Sequence, residues 1–157
     1  MNLLQVIQAM EATASVQPPV ASVVRNDIYR LNSIPAARYG VFAWMQGEHR
    51  TALDSSLQEF KFTLFYVDRL TFNKDNEIQI QSQGIEVLEN ILGRLAEVGI
   101  VAGEHTFRTF NERFADECAG VYCSVTLEAP KDGTCPEDFV APYFSLDFNN
   151  DYAVIKR

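Results

Sequence analysis

The sequence predicts a small α+β domain: an antiparallel sheet of about four strands, with an N-terminal helix and one long helix packed on it. Three patterns carry that expectation. In EFKFTLFYVDRL, Phe60, Phe62, Leu64 and Tyr66 fall on one face, while Glu59, Lys61 and Thr63 begin the other, which turns apolar at Phe65 and Val67. That alternation marks a strand with one buried face. Farther on, Ile85, Leu88, Ile91, Leu92, Leu95 and Val98 form one apolar stripe of an α-helix, with Glu86, Glu89, Asn90, Arg94 and Glu97 mostly opposite. From Gly120 to Ala129, Val121, Cys123, Val125 and Leu127 alternate with Tyr122, Ser124, Thr126 and Glu128, a second half-buried strand.

Taken in order, Leu3, Leu4, Ile7 and Met10 suit an amphipathic helix over roughly the first 14 residues. Pro18 and Pro19 cannot continue it. The segment Val20 to Ser33 stays open; Asn26 and Asp27 can cap a helical turn carrying Ile28 and Leu31 that Pro35 stops. A strand over Arg38 to Met45 is apolar throughout YGVFAWM, which places it inside the sheet, covered on both faces. Gln46 to Ser56 reads as a long polar loop into the Leu57–Asp68 strand, so the two strands make a hairpin with a protruding arm. A connector, Thr71–Glu77, leads to the long helix, with Asp75 or Asn76 as its cap. Gly99 closes that helix in a left-handed conformation.

A second hairpin pairs Thr106–Phe114 with Gly120–Ala129, and Pro130 to Glu137 is a turn-rich break. The tail DFVAPYFSLDFNNDYAVIKR has no helical period. It reads either as a final strand and loop pinned on the core, or as an arm that packs on a neighbouring subunit. Helix, hairpin, helix, hairpin thus spans residues 1–130, and 131–157 is an extended C-terminal arm of the same domain. No repeat or low-complexity block interrupts this order.

A chain of 157 residues is long enough for a proper core without staples. Hydrophobic residues make up 47% of it, with 11 Phe, 6 Tyr and 1 Trp, so a globular fold is expected. A formal charge of −8 argues against a grip on nucleic acid, which needs an excess of Lys and Arg on one surface. A conduit for DNA is compatible with it, because repulsion prevents sticking. MNLLQVIQAMEATA lacks a basic start and is broken by Gln5, Gln8 and Glu11, unlike a signal peptide. No run approaches the ~18 apolar residues of a membrane helix. Three cysteines, an odd number, fit a reducing compartment better than a disulfide framework. A soluble protein made in a cytoplasm is the expectation.

Patterns that carry chemistry are missing. His49 and His105 have no helpers at metal-ligand spacing, and Cys118, Cys123 and Cys135 do not form a zinc knuckle. Cys123 reads as a small core residue rather than a nucleophile. Asp68, Arg69, Asp75 and Glu77 cluster near the long helix, but NKDNE lacks the central Gly and spaced acids of a calcium loop. Neither a phosphate-cradling Gly-rich loop nor a Gly-x-Ser-x-Gly elbow occurs. Arg25, Arg30, Arg38 and Arg50 cluster only loosely and read as a solvated face. No metal, cofactor or catalytic residue is predicted.

The run FKFTLFYVDRLTFNKDNEIQIQSQGIEVLENILGRL, preceded by IPAARYGVFAWMQGEHR, resembles small structural proteins of tailed phages and prophages of Bacteroidetes-type hosts. The shared features are a Tyr-Gly-Val-Phe-Ala-Trp strand, a polar arm, a strand closing in Phe-Tyr-x-Asp-Arg-Leu, and an Ile-Gln-Ser-x-Gly-Ile helix. The order of elements is similar to that of the tail-terminator and tail-completion family. That resemblance covers roughly residues 1 to 130 and implies a non-enzymatic virion component, assembled in the bacterial host cytoplasm. It implies a homo-oligomeric ring around the DNA channel of the neck or tail, touching neighbouring neck and tail proteins and no membrane. Gln46, Glu48, His49 and Arg50 in the arm, with Phe139, Tyr143, Phe144, Phe148 and Tyr152 in the tail, are the expected subunit contacts. Two other classes stand beside it. One is an acyl-thioester-type enzyme on a hotdog-like fold, using Asp68 or Glu77. The other is a monomeric adaptor protein.

Overall fold

The computed structural model describes residues 1–27, 39–113, 117–131, 144–147 and 152–155. Among the described residues two helices, α1 (Leu3–Ser15) and α2 (Glu77–Glu97), accompany eight strands. These are β1 (Ser22–Arg25), β2 (Val41–Thr51), β3 (Leu57–Arg69), β4 (Val101–Ala102), β5 (Arg108–Arg113), β6 (Cys118–Pro130), β7 (Phe144–Asp147) and β8 (Tyr152–Ile155). The fold is α+β, as the periodicities predict, but its sheet is mixed and larger than four strands. It runs β4-β6-β3-β2-β1-β8-β7, with β5 beside β4 along the same edge of β6. All pairs are antiparallel except β1 with β2, where Val23 faces Phe42 and Arg25 faces Trp44. A parallel pair needs a connection of a dozen or more residues, which residues 26–40 supply.

The N-terminal helix starts in a capping box. Gln5 N–H donates to Asn2 Oδ1 at 2.9 Å, and Asn2 N–H donates to Gln5 Oε1 at 2.8 Å, satisfying two orphan donors at once. Its buried side is Val6, Ala9, Met10, Thr13 and Ala14. The sequence stripe through Leu4 is therefore corrected: Leu4 is exposed. The rest of the stripe holds: Met10 is buried, and Leu3 and Ile7 pack partly buried against the core. On α2 the stripe holds, with Leu88, Ile91, Leu92 and Leu95 buried and Ile80, Gly84 and Val87 extending it.

At the end of α2, Gly99 has φ +84. Gly99 N–H reaches the Ala96 carbonyl at 3.1 Å, and Ile100 N–H reaches that of Leu95 at 3.0 Å. This is a Schellman closure with buried Ile100 as its hydrophobic partner. At the start, Asn76 is the N-cap, one of the two residues expected there, and its carbonyl accepts from Ile80 N–H at 3.0 Å, but its side chain makes no capping hydrogen bond. Its side chain is turned back: Oδ1 accepts from Thr71 N–H at 2.9 Å, and Nδ2 donates to the Arg69 carbonyl at 3.1 Å.

Phe60, Phe62, Leu64 and Tyr66 of β3 join Phe42 and Trp44 of β2 and Val121, Cys123, Val125 and Leu127 of β6 under the helices. Trp44 meets Phe62 edge to face at 5.9 Å, the arrangement that ring quadrupoles favour. The other face carries a smaller core of Val24, Val41, Ala43, Val67, Phe110 and Cys118, so this end of β2 is covered on both faces. Burial pushes the Cys123 thiol up to about 12, which makes it an inert core residue.

The predicted loop from Gln46 to Ser56 is also corrected. Strand β2 continues to Thr51 through a bulge between Gln46 and His49, pairing Arg50 with Glu59 and Thr51 with Gln58. Only residues 52–56 turn. Polar side chains hid this extension, because a strand exposed on both faces has no apolar alternation to read. Within the open segment, Ser22–Arg25 form β1 and Asn26 takes φ +54, while the helical turn expected to carry Ile28 and Leu31 lies outside the described residues.

The Asp68 carboxyl near the end of β3 is raised above the usual carboxylate value, chiefly by burial, against the Arg69 N–H that donates to it at 2.7 Å. A carboxyl whose folded pKa lies above its unfolded one loses stabilising free energy as pH climbs between the two, and the cost persists above both. Asp68→Asn keeps the acceptor and removes the charge. The variant is expected to be more stable than wild type at pH 7, with the advantage vanishing below about pH 4. Urea midpoints at the two pH values measure it; equal midpoint differences at both would refute the burial cost.

Candidate functional site

The arm formed by the far halves of β2 and β3 is the most exposed built feature of the described chain. Strand β1 pairs with β2 only from Val41 to Trp44. Asn26 then ends that pairing: its N–H donates to the Trp44 carbonyl at 2.7 Å, and its Oδ1 accepts from Gln46 N–H at 2.9 Å. Among the described residues no strand pairs with this side of β2 beyond that point. A free strand edge offers backbone donors and acceptors to another chain, and bulges and charges are the usual brakes on indiscriminate pairing. This edge has both.

Each predicted arm residue is exposed on that edge, and they differ in attachment. Gln46 precedes the bulge and Glu48 lies within it, with Glu48 Oε2 3.0 Å from Lys61 Nζ. His49 stacks on Phe60, ring centres 4.4 Å apart, with Nε2 3.3 Å from Gln58 Oε1. Arg50 lines a cleft of about 240 Å³ at the tip, with Ala52, Ser55, Leu57, Glu59 and Glu128. Lys131 Nζ donates to the Ala52 carbonyl, and Lys131 N–H donates to the Ser56 carbonyl at 2.9 Å, so the 52–56 turn is tied to the end of β6. Leu53 is fully exposed and Leu57 is 44% exposed. The arm is thus a braced strand extension whose tip exposes Leu53 and part of Leu57 among charged and polar side chains.

Of the predicted tail contacts, Phe139, Tyr143 and Phe148 lie outside the described residues. Phe144 and Tyr152 belong to β7 and β8, whose backbones form a hairpin. Strand β8 adds it to the chain's own sheet through Ser22↔Val154 and Val23↔Ala153.

A second cleft, of about 570 Å³, lies along β5 and β6 and is lined by Glu104, His105, Thr106, Arg108, Tyr122 and Ser124. His105 Nδ1 is 2.8 Å from the Gly103 carbonyl. A carbonyl only accepts, so Nδ1 carries the proton. Ser124 Oγ has Thr63 Oγ1 at 3.5 Å as its hydroxyl neighbour, which is no activating base. Among the described residues no group of three or more His, Cys, Asp or Glu side chains could hold a metal ion. Glu77, a carboxylate an enzyme reading would use, accepts from Asn111 Nδ2 at 3.0 Å and Gln81 Nε2 at 3.3 Å. Neither it nor Asp68 lines either cleft.

Two features escaped the sequence reading. One is a buried ion pair: Glu11 accepts from Arg25 Nε at 2.7 Å and Nη2 at 2.8 Å, and from Trp44 Nε1 at 3.0 Å. Arg25 is raised above its ordinary pKa by that hydrogen bond. The other is Phe72, 97% exposed in the connector before α2. An aromatic residue inside the polar run TFNKDNE was the available signal for it. No protein-family model matches the chain, and no curated protein matches it significantly. Among the described residues no helix is long and apolar enough to cross a membrane.

Proposed function

We propose that this chain is a non-enzymatic, ring-forming structural protein of a phage neck or tail, related to the tail-terminator and tail-completion proteins it resembles. The observation that carries the reading is the β2–β3 arm, a braced extension with one unpaired strand edge and an exposed leucine, Leu53, at its tip. Such an arm is suited to adding onto a neighbouring copy. In a closed ring, contacts that are weak one by one act together through effective concentration. Partners are further copies of the chain and adjoining neck or tail proteins. A net charge of −8 suits a lumen through which DNA passes without being gripped.

Light scattering after gel filtration at high protein concentration, with negative-stain images of the peak, tests this. Closed rings with a central hole that do not retain duplex DNA at physiological salt are the expected result. A strict monomer that binds one partner in a one-to-one complex would favour the adaptor reading. A compact dimer or tetramer without a channel would return the acyl-thioester enzyme to consideration and overturn the ring.

A further inference from the structure

Along the arm, the backbone groups that β2 leaves unpaired have a phase fixed by the ladder. On the β1 side, the Trp44 carbonyl accepts from Asn26 N–H, and Gln46 N–H donates to Asn26 Oδ1. In an antiparallel pair, alternate residues turn both polar groups to the same neighbour. Trp44 and Gln46 therefore point to the β1 side, and Met45 points to β3. The bulge adds one residue before His49, so the alternation resumes with His49 and Thr51 on the unpaired side. Arg50, opposite Glu59, bonds to β3. Gln46, His49 and Thr51 also share the helix-facing side of the sheet, because they stand opposite Phe62, Phe60 and Gln58.

This edge is complementary to an inverted copy of itself. With His49 opposite the partner's His49, the two exchange N–H···O=C bonds in both directions. Thr51 N–H then meets the carbonyl of the partner's Gln46, whose own N–H stays on Asn26. Between these pairs, Arg50 comes opposite the partner's bulge and its Glu48. Both charges lie on the face turned away from the helices, Glu48 against Lys61 and Arg50 beside Glu59. Arg50 makes no ion pair among the described residues. The Glu48 side chain is 82% exposed and holds Lys61 through Oε2 alone, which leaves Oε1 open. Lys61, Glu48, the partner's Arg50 and the partner's Glu59 then alternate in sign across the joint. Pairing Thr51 with the partner's His49 instead would set Arg50 against the partner's Arg50, so charge selects the first register.

We infer that two copies join through their arms as an antiparallel β2–β2 pair, about a two-fold axis at His49 flanked by two Glu48–Arg50 contacts. The bulge and the charges, which discourage indiscriminate edge pairing, fit this one partner. A two-fold contact is closed, so by itself it makes a dimer. A ring is then built from such pairs through a second, different interface. This inference rests on the self-assembly reading above and names how the arms meet.

The test introduces His49→Cys into the full chain carrying Cys135→Ser, oxidises it and maps disulfides by mass spectrometry. A hydrogen-bonded antiparallel pair sets facing Cα atoms about 5.5 Å apart, within disulfide reach, so a dimer linked through position 49 is expected. Copies with Gln46→Cys should link to copies with Thr51→Cys, and neither to itself. Arg50→Glu should weaken association about tenfold by opposing like charges at two places, and adding Glu48→Arg should restore it. Melting temperatures of the variants check that each is folded. Linked dimers that also build closed rings support the joint and the ring. Linked dimers that never form rings support the joint and overturn the ring. Rings that fail to link at position 49 and ignore Arg50→Glu overturn the joint and leave the ring reading intact. A chain that stays monomeric and unlinked at every concentration overturns both.

Discussion

Replacing Arg25 with alanine is expected to cost the fold about 3 kcal/mol, the lower end of what breaking a buried ion pair costs. Glu11 is buried at 3% exposure and receives the Arg25 guanidinium as a two-pronged fork, with Trp44 Nε1 as a third donor. Removing Arg25 leaves a desolvated carboxylate with only the indole N–H for compensation. The lower end applies because 35% of the Arg25 side chain stays exposed, so water replaces part of the lost partner. For a domain of this size the loss lowers the melting temperature by roughly 6 to 12 °C. Glu11→Gln combined with Arg25→Met should recover most of it: the amide oxygen still accepts from Trp44, and no charge remains to be buried. If Arg25→Ala alone costs under ~1 kcal/mol in urea melts, the pair behaves as a surface bridge and the lock between α1, β1 and β2 is not electrostatic.

Gly40→Ala is expected to be at least as damaging, also about 3 kcal/mol, with Gly93→Ala moving stability the other way. Gly40 has φ +80, and a Cβ there would stand 2.0 Å from the Pro19 carbonyl oxygen. The left-handed conformation alone costs a side-chain-bearing residue ~1–2 kcal/mol, and relieving a clash with backbone adds ~1–3 kcal/mol. The damage falls on the β1–β2 parallel pair, because the Gly40 carbonyl accepts from Ala21 N–H at 2.7 Å just where β1 meets β2. Gly93 lies on the exposed side of α2 with nothing within 4 Å of its added Cβ. Alanine there gains ~0.4–1 kcal/mol from helix propensity and a less flexible unfolded chain. Thermal melts of the two variants side by side should move in opposite directions. A tolerated Gly40→Ala would mean that the β1–β2 junction is looser than its hydrogen bonds imply.

The core strands and the long helix were legible because each repeats its signal many times. Four even-numbered side chains of β3 and six odd-numbered side chains of β6 face the same core, and α2 carries its stripe from Ile80 to Leu95 through about four turns. The C-terminal stop at Gly99 was legible as well, since a helix end that needs positive φ favours glycine whatever surrounds it. The arm was legible only as a polar excursion. Its continuation as strand depends on backbone pairing between Arg50 and Glu59, which no side-chain period announces.

On the candidate site, Gln46, Glu48, His49 and Arg50 could be named from polarity and position alone. The tip cleft could not, because Arg50, Leu57 and Glu128 meet there from β2, β3 and β6. Phe72 falls inside the connector Thr71–Glu77, where its 97% exposure depends on how the turn folds against the rest of the chain.

By itself, then, the sequence determined which segments bury an apolar face and where the main helix stops, because those are local repeats read against water. The tertiary structure alone decided that four residues, Ser22–Arg25, form a parallel strand, and that Arg25 belongs to a buried pair rather than a solvated face. It also decided that β8 extends the sheet and that Phe72 is exposed. The physical reason is common to all of these. Each depends on which backbone or charge, 14 to more than 100 residues away in the chain, is brought alongside, and short segments hold no record of that neighbour.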